Sequence, residues 1–164
     1  MDADIDLSKA PYNTGNGWTP IGTETTPFTG TFHGNGHTIR GLYIFEGKNL
    51  GLFGTIEGKA EISDLTLKDA DIRTTKSGVA ILVGQMLGGT ITNTHVSGTI
   101  KADSHNVGTL VGYMERGSIA DSCQYRFNFP QNYRLKIPHF CRYWLFTSAG
   151  SGRKKPAFFF SLMR

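Results

Sequence analysis

Apolar residues recur along this chain with a period far longer than that of a helix or a strand. Leu50-Gly51-Leu52-Phe53-Gly54 is matched by Ala80-Ile81-Leu82-Val83-Gly84 and again by Gly108-Thr109-Leu110-Val111-Gly112, so that Leu52, Leu82 and Leu110 stand 30 and 28 residues apart. A second set follows: Ile62-Ser63-Asp64, Ile91-Thr92-Asn93 and Ile119-Ala120-Asp121, spaced by 29 and 28. Leu67 then corresponds to Val96, and Ile72 to Ile100. Each period holds three short runs of alternating apolar and polar residues, broken by Gly, Asp, Asn or Lys. In TITNTHVSGTI (90–100), Ile91, Val96 and Ile100 point inward and the polar residues face out. Runs of this length, rich in β-branched residues, predict strands. No segment carries a sustained 3.6-residue apolar period with caps, so helices are not predicted.

Three strands in a period of 28–30 residues suit one coil of a parallel β-helix. A coil cannot bury its inward face alone. Stacking at about 4.8 Å sets Leu on Leu and Ile on Ile and pairs the backbones along the axis. A propeller blade needs about 40–50 residues and four strands, which the period does not supply. Gly54, Gly84 and Gly112 follow the apolar pair in every coil, and the expectation is a corner with positive φ at each. Asp64, Asn93 and Asp121 recur at a second corner, where short polar side chains cap amides or stack in a ladder. The reading is all-β: a right-handed parallel β-helix of about four coils over residues 1–123, with an irregular C-terminal tail over 124–164.

Composition agrees. Hydrophobic residues make up 38% of the 164 and charged residues 18%, with 21 glycines, which favours turns and strands over a helical core. The net charge of +4 hides an asymmetry. Nine basic residues against all thirteen acids give −4 up to Cys123, whereas the stretch from Gln124 holds eight basic residues and no acid. That tail also holds eleven of the 19 aromatics, from Tyr125 to Phe160. The repeat stops there in mid-coil. Three readings stand: foreign sequence from a frameshift or truncation, an aromatic cap on the last coil, or a ligand-binding segment, since basic residues among aromatics suit single-stranded nucleic acid or a membrane surface. The abrupt change favours the first, and no nucleic-acid partner is expected. The N-terminus lacks the apolar core of a signal peptide, and no apolar run reaches 18 residues. Two cysteines, Cys123 and Cys141, make neither a disulfide framework nor a four-ligand zinc site.

Candidate chemistry is sparse. His33-Gly34-Asn35-Gly36-His37 places two imidazoles around a glycine turn, but a zinc site needs three or four ligands and the His-Glu-x-x-His pattern is absent. A tight turn with an exposed His33 is the simpler reading. His95, His105 and His139 are scattered. Asp2, Asp4 and Asp6 alternate with Ala3, Ile5 and Leu7. An EF-hand would need Gly and Glu where Leu7 and Asn13 stand, so solvent-facing acids on an edge strand are expected. Asp64, Asp69 and Asp71 form the nearest approach to the carboxylate clusters of β-helical polysaccharide lyases and hydrolases, but Asn93 replaces Asp64 one coil on, which points to a turn role. No catalytic, cofactor-binding or metal-binding residue is assigned, and no enzyme activity is expected.

The segments WTPIG (18–22), FTGTFHGNGHTIRGLYI (28–44) and LGLFGTI (50–56), with the later LVG, ITN and VSGTI blocks, resemble the GLUG-repeat family over about residues 2–123. ADIDLS (3–8) resembles the segment that precedes its Trp-x-Pro-Ile-Gly element, and His33 departs from it where Asp is usual. The resemblance implies a right-handed β-helix in a longer secreted or surface-attached bacterial protein, extracellular or on the cell surface. Filamentous-haemagglutinin-like adhesins and the non-catalytic regions of IgA-specific metallopeptidases carry such repeats. It implies host proteins or glycans as partners, no cofactor and no catalytic residue. It also implies that the chain is a piece, with no N-terminal cap on its first coil.

Overall fold

The computed structural model describes residues 1–103 and 105–128, with the backbone alone for 124–128. It contains strands and no helix among those residues. β1 (Ile5–Asp6), β2 (Thr31–His33), β3 (Thr38–Arg40), β4 (Tyr43–Phe45), β6 (Glu61–Thr74), β8 (Thr90–Ala102), β10 (Ser118–Ala120) and β11 (Cys123–Asn128) form one parallel sheet. β5 (Phe53–Ile56), β7 (Val83–Met86) and β9 (Val111–Met114) form a second, also parallel. The chain is a parallel β-solenoid. Three complete turns begin at β2, β6 and β8, and a partial turn lies at either end, where the sequence predicts about four coils.

The register shows why this sequence stacks. Phe32, Ile62, Ile91 and Ile119 occupy one column. Ile39, Leu67 and Val96 form another, and Ile44, Ile72 and Ile100 a third. In the second sheet Phe53, Val83 and Val111 align, as do Ile56, Met86 and Met114. The Leu82 carbonyl accepts from Phe53 N, and the Leu110 carbonyl from Val83 N, so the repeated leucines stack as well. The middle coil is driest: Ile62, Leu67, Ile72, Leu82 and Val83 are wholly buried. Each such side chain stabilises by about 1.5–3 kcal/mol relative to exposure.

β6 and β8 are long strands bent at fixed points. Asp64, Asn93 and Asp121 have φ of 55°, 44° and 48°, the left-handed region in which Asn and Asp are enriched among side-chain-bearing residues. Asn93 Nδ2 donates to Asp64 Oδ1 at 2.7 Å, so the corner is also a side-chain ladder. A further left-handed corner joins the two sheets at Asn49, Gly78 and Asn106, with φ of 54°, 78° and 59°, each one residue before the bridged Leu50, Val79 and Val107.

Gly54, Gly84 and Gly112 do not have positive φ, contrary to expectation. They sit inside the strands of the second sheet, where a Cβ on Gly84 would overlap the Asn49 carbonyl carbon and one on Gly112 would meet Val79 N at 2.5 Å. Their role is close approach of backbone to backbone between successive coils.

Residues 1–28 cover the first complete coil. β1 pairs with β3, and Ile21 and Phe28 bridge to Phe53 and Ile56. Gly17 bridges Ile44 in the antiparallel sense, with Trp18 N donating to Tyr43 O at 2.8 Å. That reversal occupies the β4 edge, where a preceding parallel coil would otherwise pair. Phe28 packs on Phe53 at 5.1 Å between ring centroids, and Trp18 Nε1 donates to Leu52 O at 3.1 Å. At the other end β11 pairs with β8 as far as Asn128, so the ladder runs past the change in composition at residue 124. The expectations for residues 129–164 lie outside the described residues.

Leu82→Ala, which empties a fully buried column position, is expected to lower unfolding free energy by about 2–5 kcal/mol in denaturant titration of the whole chain. Gly84→Ala is expected to cost about 1–3 kcal/mol by overpacking, although the φ there is ordinary.

Candidate functional site

His33-Gly34-Asn35-Gly36-His37 is a corner between β2 and β3. His33 pairs in register with Ser63 and Thr38 with Thr66, so this corner holds two residues more than its counterpart in the next coil. Asn35 and Gly36 take φ of 54° and 78°, and His37 N donates to Gly34 O at 3.0 Å. The two imidazoles have separate partners. His33 Nδ1 lies 2.7 Å from Ser63 Oγ, and His37 Nδ1 lies 3.2 Å from Asp4 Oδ1. Among the described residues no three His, Cys, Asp or Glu side chains converge as a metal site.

Of Asp2, Asp4 and Asp6, expected on an edge strand, Asp6 alone lies in β1, and Asp4 and Asp6 are engaged. Asp4 Oδ1 accepts from Thr38 N at 2.9 Å, and its carboxyl is held below the usual range first by that backbone donor and then by His37. Asp6 Oδ1 accepts from Ser8 Oγ at 2.5 Å and Ser8 N at 3.0 Å, while Oδ2 accepts from Arg40 at 2.7 Å. These contacts, the serine hydroxyl first and the guanidinium second, hold the Asp6 carboxyl far below the usual range. The acids pin β1 to the first coil.

One constellation was not visible in the sequence: Ser63, between His33 and Asp64. A serine within reach of an imidazole and a carboxylate invites comparison with a nucleophile and its base. The hydrogen bonding opposes that use. Asp64 is held below the usual carboxylate range by hydrogen bonds from Asn93 first and Ser63 second. His33 Nδ1 and the Ser63 hydroxyl are within hydrogen-bond distance, and which of them donates depends on the histidine tautomer. In a nucleophile–base–carboxylate triad the carboxylate orients the histidine, whereas the hydrogen-bond partners of Asp64 are Asn93 and Ser63. The cluster ties one coil to the next. The other two acids of the lyase-like set are apart from it: Asp71 forms a two-pronged pair with Arg73 at 3.0 and 2.6 Å, and Asp69 turns a separate corner with φ of 55°.

What remains for recognition is the outer surface of the sheets. The face built on β4, β6 and β8 carries two columns: Tyr43, Asp71 and Thr99, and beside them Phe45, Arg73 and Lys101. Phe45 is 42% exposed, and Arg73 and Lys101 are exposed. An aromatic ring, a guanidinium and an ammonium thus follow one another at the coil rise of about 4.8 Å. The alternation in Leu42-Tyr43-Ile44-Phe45, with Leu42 and Ile44 buried, was the available signal for the two outward aromatics. A second face presents Thr31, Glu61, Thr90 and Ser118 in one column.

No family model matches the chain, and no solved structure matches it. A stretch of 116 residues, 67% of the chain, is 40% identical to a protein named halomucin from Haloquadratum walsbyi, of which it covers 1%. A stretch of 87 residues, 52% of the chain, is 38% identical to a putative Gly-rich membrane protein from Evansella cellulosilytica, of which it covers 10%. The chain therefore spans only a small fraction of either relative. No helix among the described residues is long and apolar enough to cross a membrane, which leaves β-barrels untouched.

Acid is expected to release β1 before the rest of the solenoid. Asp4 and Asp6 have lowered folded-state pKa values, so their contribution is present above the ordinary carboxylate pKa of about 4 and is lost as pH falls through the folded values. Amide exchange at Leu7, whose N–H donates to Arg40 O at 2.9 Å, should accelerate on acidification relative to β6 and β8 amides after correction for intrinsic rates. Asp6→Asn should flatten that dependence.

Proposed function

We propose that the chain is a structural repeat module of GLUG type within a much longer extracellular or cell-surface polypeptide, and that its outer sheet faces present binding surface to glycans or host proteins. The observation that carries this reading is the parallel pairing carried through three coils, in which polar side chains fall in columns and those near the corners bond to the neighbouring coil. Such a lattice sets side chains at constant spacing over a rigid, flat area, which suits repetitive polymers and extended protein surfaces. The names of both relatives, a halomucin and a putative Gly-rich membrane protein, support placement at or outside the cell surface. The fractions of them that are covered, 1% and 10%, support a module of a longer chain. The Phe45–Arg73–Lys101 column offers a ring for stacking on a sugar face beside two cations.

The test is a glycan and surface-protein array probed with the whole chain. Saturable binding is expected, weakened about tenfold, or about 1.4 kcal/mol, when Phe45 and Arg73 are both changed to Ala. Absence of any ligand would remove the presenting role. Release of unsaturated sugars from pectin-like or glycosaminoglycan substrates would replace the structural reading with an enzymatic one.

A further inference from the structure

Two Asn-Gly steps occur in the chain, Asn16-Gly17 and Asn35-Gly36, and both asparagines are exposed. In such a step the glycine nitrogen attacks the preceding side-chain amide carbon with least hindrance, because glycine has no side chain to obstruct closure of a succinimide ring. The fold treats the two steps differently. At Asn35 both reacting groups are engaged: Gly36 N donates to Asp64 O at 2.8 Å, and Asn35 Nδ2 donates to Met1 O at 2.9 Å. Gly34 N donates to Ser63 O at 2.8 Å, so the next coil holds the corner on both sides of Asn35.

Asn16 ends a stretch, residues 8–16, that is exposed throughout. Its side chain makes no hydrogen bond among the described residues. Gly17 N donates to Thr14 O at 3.0 Å, an acceptor in the same exposed stretch, so freeing that amide disturbs no coil. The main chain on the other side is held. Asn16 O accepts from Phe45 N at 3.0 Å, and Trp18 N donates to Tyr43 O at 2.8 Å, which makes the antiparallel bridge of Gly17 with Ile44. The nitrogen that would close the ring therefore faces the exposed turn and not β4.

We propose that Asn16 is a site of spontaneous modification, with water as co-reactant, and that its conversion to isoaspartate detaches residues 16–18 from β4. Gly17 N gives its proton to solvent and bonds to Asn16 Cγ. The bond from Cγ to Nδ2 breaks, and Nδ2 takes a proton from solvent and leaves as ammonia. Water then opens the succinimide at one of its two carbonyls. Opening at Cγ gives aspartate and leaves the main chain as it was. Opening at the main-chain carbonyl gives isoaspartate, in which the main chain runs through Cβ and Cγ and the former carbonyl is a free carboxylate. The acceptor of Phe45 N then lies off the main chain, and one added backbone atom shifts Trp18 N away from Tyr43 O. The contact is lost once and irreversibly. Nothing in the step depends on a ligand of the outer faces, so a failed glycan array leaves it standing.

The test holds the whole chain at mildly alkaline pH, where the glycine amide gives up its proton more readily, and follows both asparagines by peptide mapping and mass spectrometry. In the folded chain Asn16 should convert about tenfold faster than Asn35, which reacts only after its corner opens. In denaturant the two rates should converge. Equal rates in the folded chain, faster conversion at Asn35, or an unchanged Asn16 while the denatured chain converts overturns the proposal. Amide exchange reads the consequence. Phe45 and Trp18 should lose protection in the isoaspartate form while β6 and β8 amides keep theirs, which reports an intact solenoid. Asn16→Asp, which brings the charge without the added backbone atom, should keep Phe45 and Trp18 protected. Protection that survives in the isoaspartate form overturns the detachment, and loss of protection in Asn16→Asp assigns it to charge and likewise overturns it.

Discussion

The structure depends on the hydrogen-bonded register between successive coils. β6 and β8 are matched from Glu61 with Thr90 to Thr74 with Ala102, with one shift between Leu67 and Ala70. Everything else follows from that alignment. It puts Ile62 on Ile91 and Ile72 on Ile100, so a core forms from side chains whose own coil gives them nothing to pack against. It brings Asn93 to Asp64, so that the corner is held by side chains as well as by backbone. It also forces Gly84 and Gly112 against the preceding coil. A slip of one residue would turn the buried column outward and destroy all three relations together.

The parts of the fold written as repeated identities were legible. Leu52, Leu82 and Leu110 announce a stack by recurring, and Asp64, Asn93 and Asp121 announce a corner because Asp and Asn tolerate left-handed backbone. Gly54, Gly84 and Gly112 announced themselves too, but a glycine chosen for positive φ and one chosen for close approach look alike in sequence. The Asn49–Gly78–Asn106 corner was hidden because its residue type alternates. The covering of the first coil was hidden for another reason. The antiparallel contact of Gly17 with Ile44 is non-local and has no periodic signature.

The candidate chemistry divides the same way. His33 and His37 are close in sequence, yet coil geometry gives them to different partners, Ser63 and Asp4. Ser63 was overlooked because its approach to His33 depends on a 30-residue register, while the neighbouring β3 contacts run at 28. Several groups that resemble a reactive centre by type instead bond to one another across coils: an imidazole to a serine, a guanidinium to a carboxylate, an amide to a carboxylate. Among the described residues no side-chain hydrogen bond or ion pair joins the outer Phe45–Arg73–Lys101 column to a neighbouring coil, although Arg73 pairs with Asp71 within its own strand.

The spacing of the coils also has a mechanical consequence. Each coil takes up about 28–30 residues of chain but advances the axis by only about 5 Å. The same residues drawn straight would reach roughly 100 Å. Because each coil touches only its neighbours, tension at one end meets a series of similar, separable layers rather than one cooperative block. A long polypeptide built this way would hold a large reserve of length in compact form. It could yield coil by coil under load, with each step dissipating the energy of a single interface.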